Sequence, residues 1–403
     1  MSPEKDAGSG ISKASPSLVK RFPFSGKPLF RFCGKNTVEV REMDELKKNR
    51  EQLEELDSRM AELFEERMKV CEAVANYKKE NALPVLDEDR ERILLEKNAA
   101  RVSDPGIREH YIPFFRQVLR ESRSCQFRIL SGRRVAYCGT EGAFGCLAAK
   151  KQFPEGTPVG FPDFSSAYAA VEQGDCDSAV LPIENSLAGD VGTVMDLMFS
   201  GTLYVNNVVE LDVVQNLVGL PGTSREEIRT VVSHPQALEQ CGDYIRSHSL
   251  QTVSYSNTAL AAQYVKERGD HTMAAIASEE TARIFGLEIL ERGINTSLVN
   301  TTRFAVLSRS LRLPDAATRN ENEHFILLFT TRNEAGALAQ PLNIIGAHNF
   351  NMRNLRSRPM KGLLWNYYFF VEAEGNIASS NGQDMLAELS AVCARLKLAG
   401  TYR

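Results

Sequence analysis

The stretch EQLEELDSRMAELFEERMKVCEAVANYKKE, residues 51–80, decides how the chain begins to fold. It sits inside a run from Lys35 to Leu83 that contains neither glycine nor proline. Leu53, Leu56, Met60 and Leu63 recur at helical spacing and form one apolar stripe on a charged surface. A helix of nearly 40 residues exceeds the usual globular length, so the stripe requires a partner surface. Pro84 ends it. Asp87, Glu88 and Asp89 stand at the positive end of a second helix, expected from Glu88 to about Ala100. Asp104 as N-cap and Pro105 as first helical residue open a third, to about Phe127. Residues 41–130 therefore predict an all-helical module.

The pattern changes at Ser131-Gly132. Short apolar runs now alternate with helical stretches. The strands expected are Arg134–Tyr137, Ser178–Leu181, Leu203–Glu210, Thr230–Ser233, Ala274–Ala277 and Phe304–Leu307. The helices expected are Ser165–Gln173, Gln236–Ser247, Thr258–Arg268 and Ser278–Phe285. This alternation predicts an α/β domain over 132–312. A polar linker, Pro314–Glu323, precedes strand His324–Thr331, helix Gly336–Ala347, strands Leu355–Pro359 and Trp365–Glu372, and helix Asp384–Leu396. That order reads as a small α+β, ferredoxin-like module over 320–403. Residues 1–40, with four prolines and six serines, read as a mobile tail without the apolar segment of a signal peptide. The chain is thus multidomain.

Composition removes several classes. Of 403 residues, 48 are Lys or Arg and 52 are Asp or Glu, a net charge of −4 that argues against nucleic-acid binding through bulk charge. No apolar run is long enough to cross a membrane as a helix. The eight cysteines include no CxxC pair, which points away from zinc sites and disulfide frameworks and toward a reducing cytoplasm. No metal and no cofactor are expected.

Positive charge is concentrated in the helical module. Arg67 and Lys78 are 11 residues apart, three turns plus ~20°, and so project from one helix face ~16 Å apart. Arg50 lies ~100° around the same helix from Arg67 and suits a site shared with a second, antiparallel chain. Asp87, Arg90 and Glu91 follow on the next helix. Singly, each reads as a solvated surface charge. In the α/β domain, Glu184-Asn185-Ser186 follows the strand Ser178–Leu181, and Ser233-His234-Pro235-Gln236 follows Val231-Val232. Polar groups after strands mark the ligand edge of an open sheet, although singly they also serve as turns and caps.

Taken together, Arg50, Arg67, Lys78, Asp87, Arg90, Glu91, Ser122 and Gln126 resemble the site pattern of all-helical chorismate mutases. The resemblance implies that Arg50, from a partner chain, and Arg67 clamp the carboxylates of chorismate, with Arg90 assisting. It implies that Lys78 and Gln126 donate to the ether oxygen, and that Glu91 accepts from the ring hydroxyl, supported by Asp87 and Ser122. The shift to prephenate is unimolecular, so the site only holds the reactive conformer and stabilises charge gathering at that oxygen. Residues 134–310 resemble prephenate dehydratase, most specifically in Thr302-Arg303-Phe304. This implies two subdomains like those of periplasmic binding proteins, with the site between them. Thr302 would be the key hydroxyl, and Glu184, Asn185, Ser186, Ser233 and Gln236 would line the cleft. Arg303 would either pair a substrate carboxylate or fix the loop, and His234 either supply a proton or shape the turn. Thr140 and Gly145 depart from the family's first loop, where a proline and a hydroxyl residue are usual.

The C-terminal module resembles an ACT regulatory domain. Gly336-Ala337-Leu338 and Ser357-Arg358-Pro359 would line a phenylalanine site at a dimer interface. Arg356 stands where that family has Glu, and Asn349 where Gly is usual. The implied protein is a bifunctional, cytoplasmic enzyme of L-phenylalanine biosynthesis, a homodimer or higher even oligomer regulated by phenylalanine. Its partners are chorismate, prephenate and the effector, not nucleic acid or membrane. Arogenate stands as the alternative substrate. A non-catalytic solute-binding protein is the reading from another class, and the Thr-Arg-Phe string and the filled cage of cations argue against it.

Overall fold

The computed structural model describes residues 36–403 except 298, 318–321 and 363–364, with side chains from residue 45. The tail expected over 1–40 lies outside the described residues up to 35, and the linker Pro314–Glu323 does so at 318–321. Helix α1, Asn36–Glu80, begins before the expected tail ends, because nothing after Gly34 interrupts it. The chain divides into one unit up to Glu65 and a second from Glu66 to Arg403. In the first, Leu46, Leu53, Leu56, Met60 and Leu63 are each at least half exposed, so the apolar stripe is on the surface.

The second unit opens with the end of α1, from Glu66, followed by helices α2, Glu88–Ala100, and α3, Pro105–Ser131. Asp87 caps α2 by accepting from the Arg90 N–H, and Asp104 caps α3 by accepting from Gly106 and Ile107. Gly132, at φ +70°, ends α3.

The α/β domain has two lobes. The first holds β1 (Arg134–Cys138), α4 (Phe144–Gln152), β2 (Thr157–Phe161), α5 (Phe164–Glu172), β3 (Ser178–Asn185), the short β4 (Gly189–Asp190), α6 (Gly192–Ser200) and β5 (Tyr204–Asp212). The chain then builds a second sheet from β6 (Asn216–Gly219), β7 (Thr230–Ser233), β8 (Gln251–Ser254), β9 (Met273–Ala277) and β10 (Glu288–Glu291), ordered β10-β6-β9-β7-β8. Helices α7 (Pro235–Gln240), α8 (Gly242–Ser247), α9 (Thr258–Arg268) and α10 (Glu279–Phe285) flank it. The single helix expected over Gln236–Ser247 is broken at Cys241, whose backbone leaves the helical region. Strand β11, Thr301–Ser308, returns to the first lobe and inserts antiparallel between β5 and β3. Its start, at Thr301-Thr302, therefore lies beside the carboxyl end of β3, where Asn185 is found. This edge faces the cleft between the lobes.

The C-terminal module comprises β12 (His324–Thr330), α11 (Ala339–Ala347), β13 (Asn351–Pro359), β14 (Tyr367–Glu374), α12 (Ser380–Val392) and β15 (Arg395–Tyr402). It is a βαββαβ unit with sheet order β13-β14-β12-β15. The last strand was not expected, because α12 stops at Val392 and Leu396 and Leu398 then alternate as in a strand. Nor is the module separate, since β15 pairs in parallel with β5 at Gly400–Val205, making one sheet with the first lobe. A Cβ on Gly400 would collide with the Val205 carbonyl. Asn349 adopts φ +59°, which Asn tolerates better than most side chains. Arg395 Nη2 donates to the Phe199 carbonyl (3.0 Å), and Lys397 Nζ to those of Met198 (2.7 Å) and Gly201 (2.6 Å). These cations satisfy orphan carbonyls at the negative end of α6 and pin the module to the lobe.

Candidate active sites

One cavity of about 140 Å³ opens among α1, α2 and α3. Arg67, Lys78, Asp87, Arg90, Glu91, Ser122 and Gln126 all line it, together with Arg123. Four cations face two carboxylates, so the lining is net positive by two, the complement of a dicarboxylate. Arg67 Nη1 donates to Ser122 Oγ, whose own hydrogen goes to the Val118 carbonyl (2.6 Å). Ser122 therefore aims Arg67, and its hydroxyl has no second proton for a ligand. Lys78 Nζ donates to the Val85 carbonyl (2.7 Å), which fixes the ammonium at the cavity and leaves two of its three N–H bonds. Arg123 Nη1 holds Glu91 Oε2 at 3.0 Å. The buried Gln126 Oε1 has no hydrogen-bond partner among the described residues. Asp87 is first a helix cap. Arg50 lies on an exposed part of the first unit.

A second cavity, of about 500 Å³, occupies the cleft between the two lobes. Asn185, Thr302, His234 and Gln236 line it, with Gly139, Gly145, Gln215 and Asn257. Asn185 Oδ1 accepts from the Leu187 (3.1 Å) and Ala188 (2.9 Å) N–H groups, which turns its amide nitrogen toward β11. That nitrogen donates to Thr302 Oγ1 at 2.9 Å and to Asn300 Oδ1 at 2.8 Å. Because the Thr302 oxygen accepts, its hydrogen is left to donate into the cleft. His234 caps α7, its Nδ1 accepting from the Gln236 N–H at 3.3 Å, so its proton is assigned to Nε2. Burial pushes the His234 pKa down, which keeps the ring neutral at pH 7.

Three residues expected to line the cleft, and Arg303, are elsewhere. Ser233 is fully buried, its hydroxyl donating to the Ile276 carbonyl at 2.6 Å. Ser186 accepts from the Thr301 N–H (3.0 Å) and ties a loop to β11. Glu184 and Arg303 alternate with Asn185 and Thr302 along their strands and so point to the opposite face of the sheet. There Arg303 meets Glu184 (3.2 Å), the buried Glu372 (2.6 Å) and Tyr402 (2.9 Å). Of the two roles left open for Arg303, the structure favours holding the strand.

Comparison with known proteins agrees with this geometry. The chorismate mutase type II family model matches residues 49–127, and the prephenate dehydratase model matches 135–311. A bifunctional chorismate mutase/prephenate dehydratase of Enterobacter agglomerans is 30% identical over 88% of this chain and 94% of its own length. The chain belongs to the bifunctional chorismate mutase/prephenate dehydratase family. Among solved structures, prephenate dehydratase from Arthrobacter aurescens in complex with L-Phe is 26% identical, with TM-score 0.61, covering 67% of this chain and 89% of that one. GqqA, described as a novel type of quorum-quenching acylase, is 32% identical with TM-score 0.62, covering 67% and 97%. No helix among the described residues is long and apolar enough to cross a membrane.

The mutase residues missed in sequence centre on Arg123. It is adjacent to Ser122, but only the crossing of α2 and α3 reveals that it holds Glu91. In the dehydratase domain, Gln215, which lines the cleft, and Asn300, which accepts from Asn185, were not expected as site residues. Each has a buried amide atom without a partner among the described residues. Gly145, which stands where the family carries a hydroxyl, lines the cleft, and a Cβ there would already press on the Cys138 carbonyl at 3.2 Å.

The residues expected to bind an effector divide. Gly336, at φ +81°, with Ala337 and Leu338 leads into α11. Ser357 is exposed on one face of β13, while Arg356 and Arg358 project from the other. Arg358 Nε donates to Asp196 at 3.1 Å, inside the dehydratase domain. Arg356 pairs with Glu184 and Asp190. The charge reversal at 356 thus faces two carboxylates of the dehydratase lobe, and Arg358 is a docking residue.

Proposed function

We propose that this chain rearranges chorismate to prephenate in the helical cavity and dehydrates and decarboxylates prephenate to phenylpyruvate in the interlobe cleft. The observation that carries the reading is the convergence of Arg67, Lys78, Arg90 and Gln126 on one cavity whose charge complements a dicarboxylate. Arg67 and Arg90 take carboxylates, since a guanidinium fork is bidentate to them. Lys78 and Gln126 stabilise the negative charge gathering on the ether oxygen. Glu91, oriented by Arg123, accepts from the ring hydroxyl. Arg50 is supplied by a second chain whose α1 covers the exposed stripe from Leu46 to Leu63, making the enzyme at least a homodimer.

In the cleft, Thr302 donates its hydrogen to the departing ring hydroxyl, and Asn185 holds it in that orientation. Aromatisation drives the loss of CO₂ and water, so a hydrogen-bond donor suffices where a strong acid is not present. Gln236 lines the substrate pocket. The C-terminal βαββαβ unit is an ACT regulatory domain that binds phenylalanine near Gly336, Ala337, Leu338 and Ser357, and the enzyme works in the cytoplasm. Support for phenylalanine comes from the L-Phe complex of the Arthrobacter relative.

The test supplies chorismate to the full chain and follows prephenate and phenylpyruvate separately, with and without phenylalanine. The expected result is sequential appearance of both, with the second step slowed by phenylalanine. Failure to consume chorismate would refute the mutase reading. Phenylalanine formed from arogenate in preference to phenylpyruvate from prephenate would reassign the cleft's substrate. Release of free acid from an N-acyl amide without prephenate turnover would move the cleft to acylase chemistry. No effect of millimolar phenylalanine on rate or thermal stability would remove the sensor.

A further inference from the structure

A third cavity, of about 300 Å³, lies where α3 meets the first lobe and shares no lining residue with either catalytic cavity. Four arginines line it, Arg128, Arg133, Arg309 and Arg312, against two carboxylates, Glu121 and Asp177. The carboxylates are already committed. Asp177, buried, takes Arg128 at 2.8 Å and the Arg134 backbone N–H at 2.9 Å. Glu121 lies 3.4 Å from Arg309, which also donates to Ser124 Oγ (3.0 Å) and to the Val171 carbonyl (2.8 Å). Arg133 and Arg312 have no carboxylate partner among the described residues. The Arg133 guanidinium is set over the Phe153 ring, 4.6 Å from its centroid. Burial pushes the Arg133 pKa down, and the nearby charges of Arg128 and Arg312 push it the same way against the opposing pull of Asp177.

The neutral groups reinforce this polarity. Asn206 Oδ1 is occupied by the Arg312 backbone N–H (2.8 Å), and Gln152 Oε1 by Asn207 Nδ2 (3.0 Å). The Asn206 amide nitrogen is likewise spent on Ser308 Oγ (2.5 Å) and the Ser310 carbonyl (2.8 Å), so the donors the cavity offers are its guanidinium groups, at a net charge of plus two. The mutase cavity has the same charge balance.

We propose that this cavity is a second dianion site, taking a small dicarboxylate between Arg133 and Arg312. Two separate forks suit two carboxylates better than a single phosphate, and the volume exceeds what one phosphate fills. The occupant touches α3, whose other face presents Ser122 and Gln126 to the mutase cavity. It also touches Ser308, Arg309 and Ser310, at the far end of the strand that begins with Thr301 and Thr302. It thereby ties the mutase helix to the catalytic strand of the dehydratase.

The test is calorimetric titration of the full-length protein with malonate and, separately, inorganic phosphate, in wild type, Arg133→Gln/Arg312→Gln and Lys78→Ala. Retained mutase and dehydratase turnover confirms that the double variant folds. Malonate is expected to bind once per chain at this site, with affinity unchanged by Lys78→Ala. Each lost charge-assisted contact is worth roughly tenfold, so the double variant should bind at least about tenfold more weakly. No malonate binding, binding unaffected by the double substitution, or binding lost in Lys78→Ala would each overturn the proposal, the last by assigning the malonate to the mutase cavity. Phosphate binding without malonate binding would overturn the dicarboxylate assignment.

Discussion

Glu372→Gln probes the coupling between the C-terminal module and the dehydratase strand. Glu372 is 2% exposed and accepts from Arg303 Nη1 (3.1 Å), Arg303 Nη2 (2.6 Å) and the Tyr402 hydroxyl. The glutamine is isosteric. It keeps one Arg303 contact and the Tyr402 contact through its oxygen, but turns an amide N–H₂ toward the second guanidinium nitrogen. One charge-assisted bond is lost, at roughly 1.5–3 kcal/mol, and the others become neutral. Removing one partner of a buried pair costs about 3–5 kcal/mol when nothing compensates. Glu184, 3.2 Å from Arg303, compensates in part, so about 3 kcal/mol is expected. For a domain of this size that lowers the melting temperature of the dehydratase transition by about 6–12 °C. Arg303 is next to Thr302, and Glu184, its partner across the ladder, is next to Asn185. A displacement approaching ~1 Å should cost dehydratase turnover about 10- to 100-fold, while mutase turnover stays at wild type.

The pH dependence has a defined sign. Burial raises the Glu372 pKa, but the Arg303 and Tyr402 hydrogen bonds outweigh it and hold the carboxyl below its ordinary range. The stabilisation is therefore complete above the unfolded value, about 4.3, and is lost as pH falls below it. Wild type and Glu372→Gln should converge in stability in that acid window. Scanning calorimetry at several pH values and separate assays of the two activities check this. Wild-type melting and prephenate turnover in Glu372→Gln at pH 7 would refute the coupling.

Lys78→Ala should lower mutase kcat/KM by about 10²- to 10³-fold and leave dehydratase turnover intact, as measured with chorismate and prephenate supplied separately. Thr302→Ala should lose phenylpyruvate production to a similar degree and Thr302→Ser should recover most of it, because the donated hydrogen is then restored. Ser233→Ala should destabilise by about 1 kcal/mol in denaturant titration with no change in the KM for prephenate, since its hydroxyl meets only a backbone carbonyl. The pH profile of dehydratase kcat/KM should show no step from His234 near pH 6.5, and His234→Asn, which keeps the cap, should preserve its shape.

Much of the organisation was legible locally. Helix α2 begins at Glu88 and ends at Ala100 as its acidic start and following Ser-Asp-Pro imply, and α9 and β7 keep their expected bounds, because caps and short apolar runs act within a few residues. Local signals failed for β15, read in part as the end of a helix, and for α4, hidden in a glycine-containing motif. They also failed at Ser233, Ser186 and Glu184, and left the role of Arg303 open. A polar residue after a strand looks the same whether it faces a cleft, a carbonyl of the next strand or another domain, and only sheet register separates these.

By itself the sequence determined that a long helix carries Arg67 and Lys78 on one face, that two further helices follow, and that an α/β domain and a βαββ-containing module come after. Periodicity, caps and breakers are properties of neighbouring residues, so they survive without knowledge of the fold. Only tertiary structure decided that Arg123 holds Glu91, that Asn185 leaves the Thr302 hydrogen free, and that Arg303 is gripped by Glu372. Those contacts join residues 32, 117 and 69 positions apart, and their geometry exists only once helices cross and strands are in register.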